Sequence, residues 1–150
     1  MANTFTSLNY HVIFSTKNRE ALIAHDIEER IWQFLGGIAR EKGMKALHVG
    51  GMPDHVHMAL SIPARLSVSE ALQLLKGGSS GWIKNTFPQL GNFAWQDGYG
   101  AFTVSKSNLP DVITYIRNQG DHHRAKTFKE EFLNFLVRHE VEYDERYLWD

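Results

Sequence analysis

The sequence contains no cysteine, and this absence excludes both a disulfide framework and a zinc site built on thiolates. It has no run of 18 apolar residues and no charged-then-apolar leader, so we expect a cytoplasmic protein with no membrane partner. It also lacks a large charge of one sign, since the formal net charge is −1. This balance argues mildly against a nucleic-acid-binding protein, which usually carries a basic patch.

The charges are, however, unevenly distributed along the chain. Acidic residues concentrate at 26–29, 130–131 and 140–150. From Arg65 to Lys106, four basic residues stand against two acidic ones, which makes the middle of the chain mildly basic and keeps DNA as a candidate partner. A chain of 150 residues fits one domain, and such a domain buries about two-thirds of its unfolded surface.

Two histidines flank one apolar residue in the run from 51 to 60, as His55-Val56-His57. Successive side chains of a β-strand point to opposite faces, so both imidazoles would share one face while Val56 points into the core. Two imidazoles placed in this way can hold one divalent cation. Taken alone, the pattern is more typical of two structural histidines on a strand.

A second group of polar residues lies sixty positions further along the chain. An amphipathic helix with Pro110 in its first turn is predicted by apolar residues at helical spacing, namely Leu109, Val112, Ile113 and Ile116. Tyr115 and Gln119 are four residues apart, so they project from one edge of that helix. If the helix packs near the histidines, Gln119 can be a third metal ligand and Tyr115 a nucleophile.

With these residues the chain resembles the single-tyrosine HUH transposases of the insertion-sequence-200 type. The two histidines around a hydrophobic residue match His55-Val56-His57, and the tyrosine followed four residues later by a glutamine matches Tyr115 and Gln119. Residues 10–15, 75–80 and 95–102 also resemble the family, in the same order. The resemblance covers nearly the whole chain, so we interpret residues 1–150 as a single HUH transposase domain.

The predicted elements follow the order β-α-β-β-α-β-α. We expect strands at about 8–16, 45–51, 55–62 and 99–105, and helices at about 26–42 and from Ser67 or Ser69 to about 87. This order favours an α+β fold of the ferredoxin-like or RRM-like kind, an antiparallel sheet with helices packed on one face. The resemblance implies the same fold with a tyrosine-bearing helix added. A further C-terminal helix or docking segment is indicated by Phe128, Phe132, Phe135 and Leu136.

The resemblance implies an enzyme that cleaves and rejoins single-stranded DNA hairpins at the ends of a mobile element. A phenol has a pKa near 10, so it is a poor nucleophile until a metal or a base lowers the free-energy cost of removing its proton. Mg²⁺ or Mn²⁺ held by His55, His57 and Gln119 would polarise the scissile phosphate. Tyr115 would then attack and leave a 5′-phosphotyrosine and a free 3′-OH.

The resemblance also implies a homodimer with two composite active sites. Each site would take His55 and His57 from one chain and the tyrosine helix from the other. Candidate phosphate contacts are the basic residues Lys17, Arg19, Lys76, Lys84, Lys106 and Arg117. Tyr99 or Trp95 is a candidate for stacking on bases, although a tryptophan such as Trp95 is more often a core residue. His122 and His123 can assist the site or contact phosphate, but a solvated helix end is the favoured interpretation, whereas His11 is expected to be structural.

Three other functions are compatible with the sequence. The first is a domesticated relative or nickase that uses the same chemistry on host hairpins. The second is a non-catalytic module that binds hairpin DNA or RNA, although the expected strand carries histidines where an RNA-recognition strand carries stacking aromatics. The third is a metallohydrolase that uses water in place of Tyr115, which continued cleavage by Tyr115→Phe would support.

Overall fold

The structure is a computed structural model that describes residues 3–122 and 126–149. Four antiparallel strands form its sheet in the order β2-β3-β1-β4, which places β1 and β3 at the centre. The strands are β1 (Asn9–Ser15), β2 (Lys45–Met52), β3 (His55–Ser61) and β4 (Gly100–Val104). This arrangement confirms the predicted α+β, ferredoxin-like class, with strand ends within about two residues of those expected.

Two long helices, α1 (His25–Glu41) and α2 (Val68–Thr86), cover one face of the sheet. The N-terminus of α2 is fixed by Ser67, whose Oγ accepts a hydrogen bond from the backbone N–H of Glu70 at 3.1 Å. Apolar side chains of both helices form one core with the inward residues of β3, including Ile31, Leu35, Leu75, Ile83, Val56, Met58 and Leu60. Because this core occupies one face of the sheet, only the opposite face remains for the later part of the chain.

Three shorter helices follow β4: α3 (Leu109–Arg117), α4 (Gln119–His122) and α5 (Phe128–Arg138). They lie on the other face of the sheet, where Leu109 and Ile116 pack with Ala59 of β3. The apolar side of α5 packs against Ile13 and Phe102 of the two adjacent strands. The expected C-terminal helix is therefore present, and it docks on its own chain.

The helix that carries Tyr115 is shorter than its sequence pattern predicts. It stops at Asn118, whose backbone angles are φ −95° and ψ 24°. Gln119 therefore begins a new short helix, and its side chain is only 2% exposed. The break turns Gln119 toward the sheet.

The C-terminal segment packs back onto α5 and onto the loop after β1. The Trp149 ring lies 6.0 Å from that of Phe132, between centroids. Arg19 donates a hydrogen bond to the Trp149 carbonyl at 3.2 Å and lies over the indole. Within residues 3–122 and 126–149, no helix combines the length and the apolar character needed to cross a membrane.

Candidate active site

The third strand places His55 and His57 side by side on the face that α3 to α5 cover. Both side chains are fully buried, and their ring centroids are 5.1 Å apart. Val56, between them, points to the opposite face and joins the core under α1 and α2. The strand alternation expected from the sequence thus holds in the structure.

Each imidazole uses its Nδ1 atom in a contact that points away from the other. Nδ1 of His55 lies 2.7 Å from Oδ1 of Asp54, and Nδ1 of His57 lies 2.7 Å from Nε2 of His11. Burial, followed by the nearby charge of His57, holds the pKa of His11 well below its ordinary 6.5, so His11 is neutral and can accept a hydrogen bond. In the tautomers that donate Nδ1–H outward to Asp54 and His11, the lone pairs on both Nε2 atoms face inward.

The two Nε2 atoms converge on a carboxylate from α5. Oε1 of Glu131 lies 3.0 Å from Nε2 of His57 and 3.5 Å from Nε2 of His55. Two neighbouring ligands of a cation with bond lengths of about 2.1 Å lie about 3.0 Å apart. The ligand atoms of these three buried residues lie within 4.8 Å of one another, so the group can hold a divalent cation.

Tyr115 and Gln119 reach the same carboxylate from the side of α3 and α4. The Tyr115 hydroxyl and the Gln119 amide, at 3.2 Å, both donate hydrogen bonds to Oε2 of Glu131. Oε1 of Gln119 lies 3.0 Å from Nε2 of His55. Burial, and next the hydrogen bond to Glu131, raise the pKa of Tyr115 above its ordinary value. One chain therefore brings together all four residues predicted as nucleophile and metal ligands.

The central carboxylate is not predicted by the sequence motifs. Glu131 stands beside Glu130 in an acidic cluster, and a lone histidine such as His11 is expected to be structural. A signal was present, because Glu131 follows Phe128 by three residues and precedes Phe135 by four. An acidic residue on the apolar face of a predicted helix must find a polar partner when it is buried.

The predicted DNA contacts are scattered over the surface. Lys17, Lys84, Lys106 and Arg117 are exposed. Lys76 is half-buried and donates hydrogen bonds to the carbonyls of Asp97 and Gly98, at 3.0 and 2.8 Å. Burial lowers its pKa. Lys84 lies on α2, across the sheet from the histidines. Arg117, in contrast, lines the same cleft as Gln119, a cleft of about 730 Å³ between α1, β2 and α3.

Among the aromatic and histidine candidates, the structure gives a definite outcome for Trp95. Trp95 is a core residue, since it is 5% exposed and donates its indole N–H to Ser79 Oγ at 2.9 Å. The proposal that it stacks on bases is therefore wrong, and Tyr99, at 36% exposure, is the remaining candidate. His123 and the side chain of His122 lie outside the described residues.

Comparison with known proteins assigns the family. The family described as "Transposase IS200 like" matches residues 4–119. The chain is 29% identical to the ISDra2 transposase TnpA of Deinococcus radiodurans over 119 residues, which is 76% of this chain and 85% of the relative. It is 30% identical to the transposase for insertion sequence element IS200 of Salmonella typhimurium over 124 residues, 79% of this chain and 81% of the relative.

Solved structures agree with the sequence relatives. A transposase crystal structure from Deinococcus radiodurans superimposes with a TM-score of 0.66 at 27% identity, covering 79% of this chain and 95% of that one. A REP-associated tyrosine transposase bound to a REP hairpin shares the fold, with a TM-score of 0.61 at 13% identity, covering 82% of this chain and 73% of that one. The chain therefore belongs to the IS200-like transposase family.

Proposed function

We propose that this transposase cleaves and rejoins single-stranded DNA through a 5′-phosphotyrosine formed on Tyr115, with the help of a divalent cation. The observation that carries the proposal is the convergence of the Tyr115 hydroxyl and both imidazoles on one buried carboxylate, Glu131. A purely structural role for the tyrosine on α3 would not require two buried imidazoles beside the same carboxylate.

In the proposed reaction, Oη of Tyr115 attacks the phosphorus of the scissile phosphodiester. The new bond is between Oη and phosphorus, and the bond from phosphorus to the 3′ oxygen breaks. The proton leaves the phenol for solvent water, and the departing 3′ oxygen takes a proton from solvent, so that no net proton is consumed. Because one phosphodiester is exchanged for another, a 3′-OH can reverse the step without ATP.

The imidazoles of His55 and His57 would hold Mg²⁺ or Mn²⁺, with the Gln119 amide oxygen as the predicted third ligand. Such a cation polarises the phosphate and offsets its negative charge when bound. Imidazole and amide donors also suit other divalent metals, so the donor set accepts Mn²⁺ as readily as Mg²⁺. Asp54 and His11 keep the two rings oriented.

The resemblance predicts a homodimer in which two copies exchange their tyrosine helices. The homodimer stays a prediction, but the exchange is not needed to assemble the site, because Tyr115 lies beside His57 of its own chain with 5.9 Å between ring centroids. We propose that each chain works with its own Tyr115. The single domain over residues 1–150 and the cytoplasmic location likewise remain predictions.

The proposed substrates are single-stranded DNA hairpins, as the family resemblance implies, and the REP-associated structural neighbour is bound to a REP hairpin. The test uses 5′- and 3′-labelled single strands from the DNA flanking the coding region, incubated with Mg²⁺ or Mn²⁺. We expect a metal-dependent covalent protein–DNA band on a denaturing gel that Tyr115→Phe lacks. Hairpin binding without any adduct would instead favour the non-catalytic alternative, and cleavage by Tyr115→Phe would favour a water-using hydrolase.

A further inference from the structure

Glu131 sits between the two halves of the site, and its two carboxylate oxygens face different groups. Oε1 faces the histidines, at 3.0 Å from His57 and 3.5 Å from His55. Oε2 accepts hydrogen bonds from the Tyr115 hydroxyl and from the Gln119 amide. Among the side chains that the structure describes, those of residues 3–120 and 126–149, Glu131 is the acidic one that contacts both the imidazole nitrogens and the phenol.

The protein holds this carboxylate rigidly. The first turn of α5 is closed by a capping box between Thr127 and Glu130. Phe132 and Phe135, on either side of the same helical face, are buried against β1 and β4. Helix and strand are close enough that a Cβ at Gly100 would lie 2.9 Å from Cε1 of Phe132. Glu131 is therefore fixed at 2% exposure.

The nitrogen that carries the proton in each imidazole determines the role of the Glu131 carboxylate. If Asp54 and His11 accept the two Nδ1–H bonds, both Nε2 atoms present lone pairs to Oε1 of Glu131. In the alternative tautomer, Nε2–H of His57 donates to Oε1 of Glu131 at 3.0 Å. A divalent cation can take the place of that proton, because the same nitrogen and oxygen atoms converge at distances that suit neighbouring ligands of one ion.

Building on the function proposed above, we propose that Glu131 is a catalytic residue that joins the cation site to the nucleophile. Its Oε1 supplies a further protein ligand, in addition to His55, His57 and the Gln119 amide oxygen. Its Oε2 holds the Tyr115 hydroxyl next to the bound cation, so that binding of the cation and placement of the nucleophile depend on one side chain. Gln119 then supports the site by donating its amide N–H to the same oxygen.

The first test measures Mn²⁺ binding to metal-stripped full-length protein without DNA, from the electron paramagnetic resonance signal of free Mn²⁺. We expect Glu131→Gln, which keeps the shape and removes the charge, to weaken binding by about tenfold or more. Glu142→Gln makes the same change at an exposed position and should bind as wild type. Equal or tighter binding by Glu131→Gln would overturn the proposal, since the carboxylate would then only occupy the place of the cation.

His57→Ala separates this inference from the proposed function. If His57→Ala loses Mn²⁺ while Glu131→Gln does not, the cation site stands and the role of Glu131 fails. If wild type binds no Mn²⁺ in the millimolar range, both proposals fail. Circular dichroism and thermal melting establish that each variant is folded before it is compared.

The second test addresses the nucleophile. At saturating Mn²⁺ and DNA, Glu131→Gln should slow formation of the covalent adduct at least tenfold while the Kd for DNA is unchanged. Glu131→Asp keeps the charge but withdraws it by one methylene, so it should retain more Mn²⁺ affinity than Glu131→Gln and still form adduct slowly. Wild-type adduct rates in both variants would contradict the role in holding Tyr115. If Glu131→Gln does not fold, Glu131→Asp alone decides both points.

Discussion

Nε2 of His11 lies 2.7 Å from Nδ1 of His57, which links the first strand to the histidine pair on the third. His11 is buried and its pKa is lowered, so its neutral ring can accept Nδ1–H from His57, the arrangement that leaves the lone pair of His57 on Nε2. Outer partners of this kind fix the tautomer of a ligating histidine. His11 therefore supports the proposed cation site without touching the cation.

Replacing His11 should weaken metal binding without removing any ligand. We expect His11→Phe, whose ring suits the neighbouring aromatic residues Phe135 and Tyr115, to lower Mn²⁺ affinity by about 10–100-fold. Isothermal titration calorimetry of the DNA-free protein measures the change. His25→Phe, at an exposed position, is the matched control. Unchanged affinity in His11→Phe would show that His57 keeps its orientation unaided.

The lowered pKa of His11 also predicts how stability depends on pH. Below about pH 6.5 the unfolded chain binds a proton at His11 that the folded protein excludes. The contribution of His11 to the free energy of unfolding is therefore complete above pH 6.5, and it is lost as the pH falls toward the pKa of His11 in the folded protein. Over that window one proton changes the free energy of unfolding by about 1.4 kcal/mol per pH unit. A protonated His11 ring would interact with four nearby titratable or charged groups, His57, Glu131, His139 and Arg138.

Urea unfolding at pH 7.5 and pH 5.5, with EDTA present, checks this expectation. Wild type should lose more stability between the two pH values than His11→Phe, because the variant lacks the titrating group. Ionisable residues away from His11 affect both proteins alike, so the difference reports on His11 together with its charged neighbours. Parallel losses in the two proteins would mean that His11 titrates normally when folded.

The sequence predicted the parts of the site that follow from local periodicity. Strand alternation places His55 and His57 on one face, and helical spacing places Tyr115 near Gln119. The helix break at Asn118 was not predicted, because packing of the following residues against the sheet overrides the local pattern there. The contact between Glu131 and the histidines could not be predicted either. It depends on where α5 packs against the sheet, and Glu131 lies more than seventy residues after His57 in the chain.

Mixing two inactive variants tests whether the tyrosine helix acts within its own chain. We expect a mixture of His57→Ala and Tyr115→Phe to form no more adduct than either variant alone, because neither chain holds a complete site. In a swapped homodimer, random mixing would restore about a quarter of wild-type activity, since half of the dimers would carry one intact site of two. Such recovery would establish the composite sites that the family resemblance predicts.

The position of the basic residues predicts unequal roles in DNA binding. Arg117 lines the same cleft as Gln119, whereas Lys84 lies on α2 across the sheet. Each phosphate contact to a single strand adds about 0.7 to the slope of log K against log salt. We expect Arg117→Gln to reduce the slope by that amount and Lys84→Gln to leave it unchanged, measured by fluorescence anisotropy. An equal reduction in Lys84→Gln would place DNA on the α1 and α2 face.

The central claim, a covalent bond between Tyr115 and a 5′ phosphate, is tested most directly by mass spectrometry of the protein after reaction. Protein incubated with hairpin DNA and Mn²⁺ is digested with nuclease and protease, and the peptide that gains a nucleotide is sequenced by fragmentation. The account predicts a 5′-phosphonucleotide on Tyr115, formed with Mn²⁺ and absent with EDTA. A nucleotide on another residue, or cleaved DNA with unmodified Tyr115, would contradict it.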